Sequence, residues 1–437
     1  MNILNWLKPG IKVKRWIALG TVGIAAMSFG IGGLIFNSYF NILLLITAII
    51  TGILIIAFAI KRIMNSLFEL INHAGLGPSV DISKLSDLVY EKRLLINGPK
   101  IVAIGGGTGL STMLRGIKHY TSNITAIVTV ADDGGGSGVL RETLGILPPG
   151  DIRNCLLALA DTEPVMEELL QYRFNDGMLK GQSFGNLFIA AMDGISENFE
   201  VAIKKMSDVL AVTGKVLPVT LANVRLFAEL ENGVIIEGES NISKREQNKD
   251  VPIKRVFLKP DGAMPLSEAI NAIDEADAVI LGPGSLYTSI IPNLLVDDIV
   301  KHIEKSNAIK IYISNIMTQP GETTGFTVCD HIDTIQKYSK KRIIDCTIIN
   351  NGSIPSWLRG KYTKDGAREV PADIDKIKEK GIEVVVDNLV YIYKNLLRHN
   401  SRKLAELIMK IILERKLSSD KKRMIEYYYL NERLNSR

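Results

Sequence analysis

Cysteine, histidine and tryptophan are scarce in this chain of 437 residues, with three Cys, five His and three Trp. Cys155, Cys329 and Cys346 form no CxxC pair and stand in apolar or mixed surroundings. They read as buried thiols, exclude a disulfide scaffold and fit a reducing compartment. No internal repeat or low-complexity tract is present, and 46% hydrophobic with 23% charged residues allows a large packed core. Net basic charge is missing from the middle of the chain. The net +5 comes from the two ends: Lys8, Lys12, Lys14 and Arg15 at the start, and twelve Lys/Arg against five Asp/Glu from Lys394 to Arg437. The stretch between is net acidic, which is the wrong distribution for a domain wrapped on phosphate backbones. Nucleic acid is excluded as a leading partner.

Charge is absent altogether from residues 17–36, IALGTVGIAAMSFGIGGLIF, and 40–60, FNILLLITAIITGILIIAFAI. Each run would make a helix about 30 Å long, the thickness of a bilayer's hydrocarbon core. The connector Asn37-Ser38-Tyr39 is too short for a domain, so the pair reads as an antiparallel transmembrane hairpin. The first run is longer than a signal-peptide core and a second span follows at once. Gly20, Gly23, Gly30, Gly32 and Gly33 would let the two spans approach closely. Lys12, Lys14 and Arg15 precede the pair, and Lys61 and Arg62 follow it. By the positive-inside rule both termini and the main domain are expected in the cytoplasm, as a multi-pass protein of the cell membrane.

The expected organisation is a hairpin over 1–60, a juxtamembrane helix and linker over 61–97 with Gly75, Gly77 and Pro78, an α/β domain over 98–397, and a basic amphipathic tail over 398–437. Strands are expected at 100–106, 124–130, 276–282, 308–314 and 342–349, separated by helices as βαβ units require. Residues 226–237 and 253–258 read as an antiparallel insertion with a turn at Glu231-Asn232-Gly233, and 240–250 as a polar surface loop. The tail helix LAELIMKIILERK either lies on an anionic inner leaflet or docks on protein; apolar stripes usually do the latter.

The chemistry concentrates in glycine loops at strand ends. The first strand runs into Gly105-Gly106-Gly107-Thr108-Gly109, and Leu110-Ser111 opens a helix. Glycines let backbone approach a ligand, and a helix N-terminus offers free N–H groups to a phosphate. The spacing is not GxGxxG, because Leu110 stands at the third glycine position, and no GK[ST] follows, which excludes a Walker A loop. The second strand ends in Asp132-Asp133-Gly134-Gly135, with Ser137 beyond. Acids there meet ribose hydroxyls in Rossmann-type sites, or could hold Mg²⁺. Pro149-Gly150-Asp151 opens another helix, with Arg153 and Asn154 in its first turn. A cation opposes the dipole there, so Arg153 is expected to answer an anion. Gly282-Pro283-Gly284-Ser285-Leu286-Tyr287 follows a later strand in the same manner, and Asn315, Thr318 and Gln319 follow the next. All these loops are expected at the carboxyl ends of strands, where open α/β sheets bind ligands.

GGGTGLS (105–111), TVADDGGGSG (129–138), LPPGDIRN (147–154), SFGNL (183–187), GPGSLYTS (282–289), PNLLV (292–296) and NIMTQPGET (315–323) together resemble the bacterial gluconeogenesis factor family, related to the 2-phospho-L-lactate transferases. The resemblance covers about residues 98–400, and its ordered motifs make it specific. It implies a Rossmann-like, mostly parallel sheet with helices on both faces, binding of UDP-sugars such as UDP-N-acetylglucosamine, and a role in cell shape and carbon use. It implies no established reaction. It also adds Asn186 of the SFGNL motif to the expected site. Two positions depart from the family pattern: Gly136 stands where a serine is usual, and Asn400 follows His399 where Asp is usual. Expected partners are a UDP-sugar, the inner membrane and unidentified cell-envelope proteins, with a homo-oligomer left open. No histidine, lysine or cysteine is poised beside the glycine loops, which favours a binding protein over a transferase.

Overall fold

A computed structural model describes residues 14–36, 41–73, 92, 94–244, 250–416, 424–425, 427–429 and 431–432. The connector at 37–39, the linker glycines Gly75 and Gly77 with Pro78, and most of the basic tail end lie outside the described residues. The chain divides into one unit up to Tyr90 and another from Glu91.

The first unit is a helical pair, Lys14–Ile35 and Ile42–His73. Both helices are long and apolar enough to cross a membrane, with mean hydropathy 1.8 and 3.0 over their candidate spans. Three of the expected glycines meet the second helix directly. A Cβ on Gly23 would come within 3.0 Å of the Gly52 carbonyl, one on Gly30 within 2.7 Å of the Leu45 carbonyl, and one on Gly33 within 2.5 Å of the Leu45 side chain. Gly32 meets nothing within 4 Å and Gly20 only the Ala59 methyl at 3.7 Å, so neither brings the helices close. Trp16 packs edge-on against Phe58, with Arg15 and Arg62 over the Trp16 ring, so both basic flanks gather at one end of the pair.

Among its described residues the second unit contains twelve strands: β1 (Ile101–Gly105), β2 (Ile124–Val128), β3 (Lys215–Pro218), β4 (Arg225–Leu230), β5 (Ile235–Glu237), β6 (Ile253–Lys259), β7 (Ala278–Leu281), β8 (Ile309–Ile313), β9 (Cys346–Asn350), β10 (Glu383–Asp387), β11 (Val390–Tyr393) and β12 (Leu396–His399). Seven of them form a parallel sheet in the order β10-β9-β8-β7-β1-β2-β3. Every residue of β1 and β7 is buried, as expected of central strands covered on both faces by helices. The helix Gly107–Ile117 packs with Gly150–Leu159 and Ser401–Lys416, while Ser267–Asp274 packs with Ile299–Lys305.

After β1 the chain moves to β2 on one side; β7 pairs with β1 on the other. The strand order reverses between β1 and β7. That switch point opens a crevice at the carboxyl ends of both strands.

β4, β5 and β6 form the antiparallel insertion, with Gly233 at φ +84° in its turn. The stretch expected as a polar loop differs: Glu239–Lys244 is a helix that buries Ile242 completely, and 245–249 lie outside the described residues. Helix Ser401–Lys416 buries Leu404, Ile408, Met409, Ile412 and Leu413. A Cβ on Gly116 would meet the Ser401 carbonyl at 2.0 Å, so the helix docks tightly on the α/β unit. Tyr427 extends this contact by stacking on Tyr120.

Candidate functional site

The two glycine loops meet in the crevice. Gly106, in extended backbone, precedes the 107–117 helix with no side chain capping it, and Gly107 adopts φ +70°. Neither the backbone conformation at Gly107 nor the closeness of Gly109 to Pro283 suits a larger side chain: a Cβ on Gly109 would stand 2.5 Å from the Pro283 carbonyl oxygen. Gly284 in turn lies against the Gly106 carbonyl. A cavity of about 490 Å³ opens above these contacts. Gly106, Gly107, Thr108, Gly109, Gly284, Ser285, Asn315, Thr318 and Gln319 all line it. Gln319 donates from Nε2 to the Ser285 hydroxyl, tying the β8 loop to the β7 loop.

Tyr362, Asp365 and Arg398 also line the cavity, and sequence reading missed all three. The Tyr362 hydroxyl accepts the Leu397 N–H at 3.0 Å, which fixes its ring against the β11–β12 hairpin. Arg398 is the cation of that lining. His399 beside it is buried; desolvation lowers its pKa to about 4, so it stays neutral with Nε2 3.2 Å from the Ser314 carbonyl.

A polar network lies beside the glycine turns. Asp151 accepts the Gly107 N–H, and its carboxyl is pushed up to about 6, first by burial and then by the charge of Asp132. Its Oδ2 stands 2.5 Å from where a Gly106 Cβ would be, so glycine is needed there too. Asp132 accepts the Gly134 N–H at 2.8 Å and a hydrogen bond from Ser137; burial raises its pKa, against the pull of those two bonds. Gly150, after the Pro149 cap, leaves room for the Ser137 hydroxyl and Asp132. Glu239, from the helix of the insertion, joins this acidic group, and burial with the nearby Asp132 and Asp151 charges pushes its pKa well up.

Other expected site residues are used elsewhere. Asp133 turns to the insertion, where Oδ1 accepts the Ser240 N–H at 2.9 Å at the start of the 239–244 helix. It therefore does not pair with Asp132 around a cation, and among the described residues no group of three His, Cys, Asp or Glu is placed to hold a metal. Arg153 donates to Ser183, to Asn186 at 2.8 Å and to Asn154 at 3.0 Å, which anchors the helix Phe184–Gly194. Asn186 is buried within that link. Leu110, Leu286 and Tyr287 belong to the hydrophobic core, and Ser111 folds back onto the Thr108 carbonyl. Gly105 and Gly282 face each other at the strand ends, 3.8 Å from a Gly105 Cβ position to the Gly282 Cα. Gly135, at φ +49°, opens the next helix. A separate hollow, about 440 Å³, sits at the amino ends of β1 and β2, where Lys100 and Glu275 neutralise each other 2.7 Å apart.

A seven-stranded parallel sheet whose glycine loops converge at its switch point defines a Rossmann-like α/β protein. The chain belongs to the 2-phospho-L-lactate transferase CofD family, whose sequence model matches residues 101–390. Its relatives carry the gluconeogenesis factor name. The Bacillus subtilis gluconeogenesis factor is 50% identical over 72% of this chain and 99% of its own length. A provisionally named gluconeogenesis factor of Clostridium acetobutylicum is 56% identical over 99% of this chain and 97% of its own, so that match includes the N-terminal hairpin. A solved Bacillus halodurans structure is 46% identical with a TM-score of 0.69, covering 71% of this chain and 99% of that one.

Proposed function

We propose that the crevice binds a nucleoside diphosphate sugar of the UDP-N-acetylglucosamine type, and that the hairpin holds this binding unit on the inner face of the cell membrane. The observation that carries the reading is the helix start at Gly107–Gly109, which has no N-cap side chain and whose first N–H is taken by Asp151, opening into a 490 Å³ cavity that also presents Arg398. A diphosphate complements free N–H groups, the positive end of a helix dipole and a guanidinium together. The volume falls within the roughly 300–1,000 Å³ of small-molecule sites. Membrane anchoring is supported by two spans of sufficient length and by Trp16, Arg15 and Arg62 gathered at one end, as interfacial anchors would be. Occupancy would report precursor supply to cell-envelope partners that shape the cell.

Hydrogen exchange tests the site. UDP-N-acetylglucosamine should protect amides of 106–111 and 282–289; protection confined to other segments would move the site. A second reading, transfer of a phosphoryl-lactyl-like group, is favoured by one observation. Asp151, held at a pKa of about 6 beside Gly106, can accept and return a proton near neutral pH. Turnover of the nucleotide in the presence of phospholactate, abolished in Asp151→Asn, would select it.

A further inference from the structure

A second cavity, about 510 Å³, lies across the first turn of the 107–117 helix from the crevice, and the nucleotide-sugar reading uses none of it beyond the residues the two share. The two cavities share Thr108, Thr112, Arg398 and His399. Arg115, Arg153 and Arg398 all line the second one. Arg115 is answered by Glu167 at 2.8 Å. Among the described residues the other two guanidinium groups are held by neutral oxygens: Arg153 by Ser183, Asn186 and Asn154, and Arg398 by the Leu397 carbonyl at 3.0 Å. The Nε of Arg153 is buried with no hydrogen-bond partner among them. Asp151, nearest along the helix, is engaged by Gly107 and shifted toward its neutral form; Arg173 adds positive potential around Arg153, against the charges of Asp151 and Asp132, neither of which forms an ion pair with it.

We propose that this cavity binds a small phosphomonoester as a second ligand, alongside the nucleotide sugar. Two guanidinium groups hydrogen-bonded only to neutral oxygens match a phosphomonoester, which carries about −1.5 to −2 charge near neutral pH, better than a single carboxylate. The two ligands are coupled through what the cavities share. Both approach the same helical turn and Arg398, so each weakens the other, and by thermodynamic reciprocity the factor is equal in both directions. A molecule reporting precursor supply thereby also reads a phosphorylated metabolite. Only this coupling rests on the nucleotide-sugar reading; the cavity assignment stands on its own residues.

The test is calorimetric titration of the full-length chain in detergent micelles with inorganic phosphate and glycerol 3-phosphate, with and without UDP-N-acetylglucosamine. Two variants accompany it. Arg153→Lys removes the fork geometry. Gln171→Glu, at the exposed rim beside Glu167, adds a carboxylate to the mouth without entering the packed core. The expected result is saturable phosphomonoester binding, weakened at least tenfold by either variant, with UDP-sugar affinity unchanged by Gln171→Glu alone. Saturating phosphomonoester should lower the wild-type affinity for the sugar nucleotide by a limited, three- to tenfold factor. Three results overturn the proposal: no phosphomonoester binding, binding indifferent to both variants, or competition that grows without limit, which would make the cavities one site. Phosphomonoester binding that responds to both variants while UDP-sugar fails to bind would uphold the cavity and discard the nucleotide-sugar reading instead.

Discussion

Gly109 and Pro283 touch across the loops that end β1 and β7, so closely that a single methyl group on Gly109 would strike the Pro283 carbonyl at 2.5 Å. The crevice floor is therefore built by two loops that must fit each other before they can fit a ligand. Gly109→Ala should force them apart, because the obstacle is backbone and cannot swing away. The expected outcome is a lower melting temperature and at least tenfold weaker UDP-sugar binding, read by scanning calorimetry and titration. Unaltered values for both would mean the loops are not held as described.

Asp151 makes ligand binding and stability depend on pH. Its folded pKa, about 6, lies above the usual 3.8, so the folded state holds the proton more tightly than the unfolded chain. Its destabilising effect is absent below the unfolded value of 3.8, grows as pH rises from there to about 6, and is complete above. Asp151→Asn should melt with wild type near pH 4 and above it at pH 7.5. A neutral Asp151 also repels a diphosphate less, so wild-type UDP-sugar affinity should rise as pH falls from 8 to 5.5, and the asparagine variant should lose that slope. Parallel pH profiles for the two proteins would refute the assignment.

Asp133 and Asp132 are neighbours with different tasks. Asp133 supports the 239–244 helix through Ser240, so Asp133→Ala should cost stability on the scale of a lost helix cap, about 1 kcal/mol, and leave ligand affinity unchanged. A Kd shift with no loss of stability would return Asp133 to the site.

Membrane topology is open to labelling. The native cysteines are all buried, which gives a quiet background for introduced thiols. A cysteine at Ser38 should react with an impermeant maleimide on intact cells, and one at Ser79 only after lysis. Labelling of position 79 from outside would reverse the orientation.

Much of the sheet was legible in the sequence because its central strands are continuous apolar runs followed by glycine. The edge strands β3 and β10 were not. Lys215–Pro218 is four residues ending in proline, and Glu383–Asp387 is only half-buried, so neither shows a strong pattern. The glycine loops stand out in the sequence because their chemistry is local, and Gly106, Gly107, Gly109 and Gly284 line the crevice. Leu110, Leu286 and Tyr287 were assigned to the site because they sit inside its motifs, yet the helix turns them into the core. The partners of Asp133 and Arg153, Ser240 and Ser183, are remote in sequence, so no local pattern shows how these side chains are held. Arg398 reaches the cavity from β12 and Tyr362 from the helix Ser356–Lys364, elements remote in sequence from the glycine loops, which no spacing rule anticipates.

The most direct test of the central claim is calorimetric titration of the full-length protein in micelles with UDP-N-acetylglucosamine, compared with Arg398→Ala and with recovery of the nucleotide afterwards. Arg398 is the cation of the cavity lining, and a charge-assisted contact to phosphate contributes about 1.5–3 kcal/mol. Wild type should bind one ligand per chain, the variant should bind at least tenfold more weakly with its melting temperature nearly unchanged, and the nucleotide sugar should be recovered intact. Absence of binding in the wild type, or equal affinity in Arg398→Ala, would contradict the crevice as a nucleotide-sugar site.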